Sequence, residues 1–255
     1  MAGSSTSREH SPRVALVTGA SSGIGYEIAH VLGANGYRVA LCARRRDRLE
    51  TLKAELADAG VEVLAHPTDL REEAEILALF EVIRQTWGGV DVLINNAGLG
   101  HKSPLMSGET KAWQEMLAVN VLALCICTRE AVKDMRQRGD NGQIVHISSL
   151  SGHRVPGASG VYAATKFAVR ALTEGLRQEL RAANSQVRVS AISPGLAETE
   201  FAEKYHDSTE IAQEVYGRFP VLQPQDVAEA VAYVLAQPTH VQVHDVLLRS
   251  VYQVS

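Results

Sequence analysis

The chain has 255 residues, 45% of them hydrophobic and 21% charged, with a formal net charge of −4. These values suit a globular protein of one large or two small domains and argue against a basic nucleic-acid-binding module. No apolar run approaches the roughly 20 residues needed to span a bilayer, and three cysteines without a CxxC spacing argue against a disulfide framework or a zinc knuckle.

Residues 1–12 are polar and Ser-rich, without the apolar stretch of a signal peptide, and are expected to be a disordered leader. The expectation is therefore a cytoplasmic protein with no membrane span. Strand and helix signals alternate from there on. Residues 14–18 form a short apolar run, followed by a glycine turn and an amphipathic helix over 24–35. A second strand is expected at 38–42, a polar helix at 46–59 and a third strand at 61–65. A helix at 72–87 leads to a fourth strand at 90–95. Residues 111–138 have helical period without proline. A fifth strand at 143–148, a helix at 162–183, a sixth strand at 187–192, a helix at 225–236 and a seventh strand at 243–248 complete the pattern. Such alternation favours an α/β fold, a doubly wound, mainly parallel sheet with helices on both faces. No linker divides the chain, so residues 13–255 are expected to be one domain. Residues 196–224 are the longest irregular stretch and read as a lid.

The turn Thr18-Gly19-Ala20-Ser21-Ser22-Gly23-Ile24-Gly25 lies between a strand and a helix. Glycine permits positive φ and close backbone approach, and the helix N-terminus offers free N–H groups to a pyrophosphate. Ser21 and Ser22 add hydroxyl donors. The second strand ends at Ala43-Arg44-Arg45-Arg46, where a carboxylate would read an unphosphorylated ribose. Arginine instead matches phosphate, and a charged hydrogen bond contributes roughly 1.5–3 kcal/mol. NADP(H) is therefore the expected cofactor, with Arg44 leading and Arg45 beside it. A solvated basic helix start is the plainer explanation of the same residues.

Tyr162-Ala163-Ala164-Thr165-Lys166 puts a phenol and an ammonium four residues apart, on one helix face. An ammonium favours the phenolate, and a tyrosine so tuned can exchange a proton with a carbonyl or alcohol oxygen. YxxxK alone is common on surface helices. Ser149, thirteen residues earlier at a strand end, could donate to a developing alkoxide; Ser148 and Ser151 compete with it.

TGASSGIG at 18–25, NNAG at 95–98, Asn120, Ser149 before YxxxK, and PG at 194–195 occur in that order. Together they resemble the short-chain dehydrogenase/reductase family from residue 13 to the C-terminus. The stretches NVLALCICTREA, ISSLSGHRV and ALTEGLRQELR resemble a branch of hydroxysteroid, farnesol and 3-hydroxy acid dehydrogenase-like members. The resemblance selects Ser149 among the serines. It implies that Gly19, Ser21, Ser22, Gly23, Ile24 and Gly25 cradle the dinucleotide. Asp69 and Leu70 would flank the adenine, and Asn96, Ala97 and Gly98 the adenosine and ribose. Lys166 could also bond the nicotinamide ribose. Pro194, Gly195 and Thr199 would face the carboxamide. Asn120 would deform its helix and relay protons to Lys166. The catalytic set implied is Asn120, Ser149, Tyr162 and Lys166, acting on a small carbonyl or alcohol in a dimer or tetramer. The glycine-rich VDGG common near the last strand is replaced here by His244-Asp245-Val246-Leu247-Leu248-Arg249. No metal ligand set is expected. The rival reading is a sensor or scaffold that binds the dinucleotide without turnover.

Overall fold

A computed structural model describes residues 12–157 and 159–254; the expected leader, apart from Pro12, lies outside them. The apolar runs pair into seven strands, β1 (Val14–Thr18), β2 (Arg38–Ala43), β3 (Val63–Pro67), β4 (Val92–Asn95), β5 (Gln143–Ile147), β6 (Arg188–Pro194) and β7 (Asp245–Leu248). They form one sheet in the order β3-β2-β1-β4-β5-β6-β7, parallel throughout. β1, β4 and β5 are buried end to end, as strands covered on both faces must be.

The helices are α1 (Gly23–Ala34), α2 (Arg46–Asp58), α3 (Glu73–Trp87), α4 (Thr110–Leu117), α5 (Leu124–Gln137), α6 (Gly160–Ala182), α7 (Phe201–His206), α8 (Thr209–Gly217) and α9 (Pro224–Leu235). Ile28 and Leu32 of α1, Leu49 and Leu52 of α2, and Val227 and Val231 of α9 pack with Ala15 and Val17 on one sheet face. Ile76 and Phe80 of α3, Ile126 of α5 and Leu180 of α6 pack with Val14 and Leu16 on the other. Period-two alternation along β1 thus feeds two cores, and the doubly wound single domain is the fold observed.

Several elements differ from expectation, and the fourth and seventh strands begin two residues late, at Val92 and Asp245. The third strand begins two residues later, because Val61 and Glu62 close the turn after α2, with Val61 N donating to Leu56 O and Gly60 at φ +83°. The helix expected over 111–138 is interrupted by a π-helical turn at Ala118–Ala123. The irregular stretch 196–224 contains α7 and α8. Among the described residues no helix is long and apolar enough to cross a membrane.

Neighbouring connections leave β1 and β4 in opposite directions across the sheet. A parallel sheet opens a crevice at the carboxyl ends of its strands where the order reverses. Gly19, immediately after β1, adopts φ +68°, and its N–H donates to Cys42 O at 2.8 Å. A Cβ there would lie 2.9 Å from Ala97 Cα, so the loops after β1 and β4 meet only because this residue has no side chain.

Candidate active site

The carboxyl ends of β1, β2, β4, β5 and β6 surround one cleft of about 570 Å³, within the range of small-molecule and cofactor sites. Its walls include Gly19, Ser21, Ser22, Gly23 and Ile24 of the turn, Arg44 and Arg45, Asp69 and Leu70, and Asn96, Ala97 and Gly98. Ser149, Tyr162, Lys166, Pro194, Gly195 and Thr199 complete them. Gly25 and Asn120 stand behind the walls. Gly25 keeps α1 close to the loops, since a Cβ would collide with Asn96 Nδ2 and Gly19 O. These features fit an extended dinucleotide: positive-φ glycines, serine hydroxyls at the start of α1, and arginine at the end of β2.

Lys166 is 5% exposed, and its Nζ donates to Ile147 O at 3.0 Å. The same Nζ lies 5.9 Å from the centroid of the Tyr162 ring. Ser149 starts a short 3₁₀ turn, its Oγ accepting from Ser151 N at 3.0 Å. Asn120 is buried in the π turn, where Oδ1 accepts from Leu99 N at 2.9 Å. Its Nδ2 donates to Leu99 O at 2.8 Å and to Thr165 Oγ1 at 3.0 Å. Thr165 Oγ1 donates in turn to Tyr162 O at 2.7 Å. The two elements carrying Asn120 and Tyr162 are therefore tied beneath the cleft. Phe201 and Tyr205 of α7 cover the Tyr162 ring, with centroids 5.2 and 6.2 Å away.

A protein-family model described as short chain dehydrogenase matches residues 13–210. Dehydrogenase/reductase SDR family member 11 of Bos taurus is 50% identical over 249 residues, covering 95% of this chain and 98% of that relative. The chain belongs to the short-chain dehydrogenase family. Another relative, farnesol dehydrogenase of Aedes aegypti, is 40% identical over 244 residues, covering 94% and 96% of the two chains. The closed form of serine dehydrogenase complexed with NADP+ has a TM-score of 0.88 at 33% identity, covering 95% of this chain and 96% of its own. A short-chain dehydrogenase/reductase from Burkholderia phymatum in complex with NAD has a TM-score of 0.85 at 26% identity, covering 92% and 88%.

In this short-chain dehydrogenase the ionisation pattern differs from the sequence expectation. Burial raises the Tyr162 phenol above its ordinary value, against a lowering hydrogen bond with Ser149. Burial also presses the Lys166 ammonium down to about 8. Loss of hydration disfavours the phenolate, so the Tyr162 phenol is held protonated.

Several side chains face elsewhere than expected. Asp69 borders the cleft, but its carboxylate is committed to Arg71, whose Nε lies 2.9 Å from Oδ1, and its carboxyl is held below the ordinary range. Asn95, for which no cleft role was expected, is buried and donates to Thr128 Oγ1 at 3.0 Å. His153 turns to β7, with Nε2 3.2 Å from Asp245 Oδ2. Ser193 Oγ donates to the other Asp245 oxygen at 2.9 Å; the divergent tail thus braces the Ser149 loop. Glu200 turns into the cleft and accepts from Arg45 Nη1 at 2.9 Å.

The motif reading gave Thr18 no role of its own and missed Tyr216 and Gln253. Thr18 Oγ1 accepts from the N–H groups of Asn96 and Ala97, each at 3.0 Å, and donates to Ile94 O at 3.2 Å. Tyr216 Oη, from α8, donates to Thr199 O at 3.0 Å and ties α8 to the segment that leads into α7. Gln253 Oε1 accepts from Leu196 N at 2.9 Å. Only Thr18 had a sequence signal, its place at the end of β1. Among the described residues no group of three or more His, Cys, Asp or Glu could hold a metal.

His146 is buried beneath the cleft. Thr173 Oγ1 spends its proton on Val169 O at 2.7 Å, so it accepts from His146 Nδ1 at 2.9 Å. Nε2 must then accept from Thr128 Oγ1 at 3.3 Å, which makes the imidazole neutral. Burial, with Arg177 adding to it, lowers this histidine from 6.5 to about 3. A depressed histidine leaves stability intact above its unfolded value and removes it as pH falls below that value. Chemical denaturation should show wild-type stability falling by about 1 kcal/mol between about pH 6 and pH 5, with a shallower slope in His146→Gln. Equal slopes in the two proteins would contradict the buried neutral imidazole.

Proposed function

We propose that the chain is an NADP(H)-dependent oxidoreductase that interconverts a carbonyl and a primary or secondary alcohol, with Tyr162 as acid and base. The observation that carries this reading is the convergence of Ser149, Tyr162 and buried Lys166 on the cleft that the glycine turn and Arg44 also border. The dinucleotide, when bound, supplies or accepts the hydride. The protein binds, orients and handles the proton. Tyr162, kept protonated by burial, has a proton to give to a substrate oxygen during reduction. The Ser149 hydroxyl, on the wall of the same cleft, polarises that oxygen. Lys166 places a positive charge behind the phenol and favours its ionised form when alcohol is oxidised. Asn120 and Thr165 hold the Tyr162 backbone, and the Asn120 turn is the proposed route for proton exchange with Lys166.

Arg44 is exposed at the end of β2 and borders the cleft without a carboxylate from its own strand end. It is the proposed partner of the adenosine 2′-phosphate, with Arg45 beside it. Phe201 and Tyr205 exclude water over Tyr162 and favour an apolar substrate, such as a steroid or an isoprenoid alcohol. The alternative is a substrate that carries a carboxylate, which Arg154 at the cleft wall supports. Leu117, Leu122 and Phe167 are apolar side chains exposed on α4, the π turn and α6, and we infer that they are covered in a homodimer or homotetramer. The three cysteines are free thiols, which suits the cytoplasm we assign to the protein.

A panel of carbonyls and alcohols followed by NADPH absorbance tests the reading. Tyr162→Phe should lose turnover by at least about a hundredfold while binding NADPH as wild type does. Activity retained across the panel contradicts the assignment. Arg44→Asp should shift kcat/KM from NADPH towards NADH by roughly ten- to a hundredfold; an unchanged ratio contradicts the phosphate role.

A further inference from the structure

Arg45 is already engaged inside the cleft. Its Nη1 donates to Glu200 Oε2 at 2.9 Å, and its Nη2 donates to Ser22 Oγ at 2.7 Å and to Ser21 Oγ at 3.0 Å. Nε makes a further bond to Ser21 Oγ at 3.2 Å. Ser22 Oγ lies 3.5 Å from the same Glu200 oxygen. Glu200 comes from the lid: it follows Thr199 and immediately precedes α7. Lys204 Nζ donates to its Oε2 at 2.7 Å, and Arg48 pairs with its other oxygen. The bonds from these cations outweigh partial burial and hold the Glu200 carboxyl down at about 2, ionised at any working pH.

An anionic oxygen held by a guanidinium fork and a serine hydroxyl beside a glycine turn has the donor set of a phosphate site. A phosphate that reached these donors would have to take Arg45 from Glu200 and stand close to its negative charge. Arg48 and Lys204 give the displaced carboxylate other partners, so the exchange does not strand a buried charge. A dinucleotide without the 2′-phosphate makes no such demand and leaves the Arg45–Glu200 pair in place.

We propose that Glu200 is a coenzyme-specificity residue whose carboxylate competes with the adenosine 2′-phosphate for Arg45 and its serine neighbours. The inference rests on the reading of the turn and the arginines as the site of that phosphate. Glu200 narrows the advantage of NADP(H) over NAD(H), and it couples release of the phosphate to reattachment of the lid.

Calorimetric titration at matched ionic strength tests this in wild type, Glu200→Gln and Arg45→Gln. The probes are NADPH, NADH, adenosine 2′,5′-bisphosphate and AMP. Glu200→Gln should bind NADPH and the bisphosphate about tenfold more tightly, the lower end of a charged hydrogen bond, with NADH and AMP changed less than about twofold. Thermal unfolding of each variant reports whether it is folded. Unchanged or weaker NADPH binding in folded Glu200→Gln overturns the proposal, as does equal tightening for NADPH and NADH. Failure of the underlying reading has a separate signature. Wild type would then bind bisphosphate no better than AMP, and Arg45→Gln would bind NADPH as wild type does.

Discussion

A lysine ammonium buried beside a half-buried phenol is the constraint around which the cleft is organised. Removing an ammonium from water is unfavourable unless hydrogen bonds replace hydration. Here the replacement for Lys166 is the Ile147 carbonyl at the end of β5, so α6 must meet that strand end at one register. The glycine turn, the corner after β4 and the lid then close around the same point. Thr18 locks the corner to β1, and Tyr216 locks the start of the lid.

Beneath this layer lies a second one. Asn95, Thr128, His146 and Thr173 form a directed hydrogen-bond chain that joins β4, α5, β5 and α6. Buried polar chains of this kind favour one arrangement, because each member left unpaired would be destabilising. Asn120 does the same for the π turn and α6 through Thr165. The reactive side chains are therefore positioned by polar groups that never reach the cleft.

The alternation of β-branched runs and amphipathic helices was enough to place the sheet, because a strand buried on both faces and a helix buried on one leave different periods. Gly19, Arg44, Ser149 and Tyr162 were legible for a related reason: their types and spacings mark the ends of strands and the start of a helix. The π turn was not legible, since one wider turn barely disturbs the apolar rhythm on either side. The contacts of Glu200 and His153 were not legible, because their partners, Arg45 and Asp245, lie 155 and 92 residues away in the chain, and the charge-rich start of α7 has the composition of a solvated face. The raised Tyr162 phenol was missed because local spacing describes the ammonium nearby but not the enclosure shared by both groups.

The pH dependence of kcat/KM for a carbonyl substrate tests the buried pair most directly, since that ratio reports the ionisations of the enzyme before substrate binds. With Lys166 at about 8, reduction by wild type should weaken as pH rises through about 8, and Lys166→Arg should carry the fall to higher pH. A wild-type profile that stays level from about pH 7 to about pH 10, or a fall at the same pH in Lys166→Arg, would contradict the account.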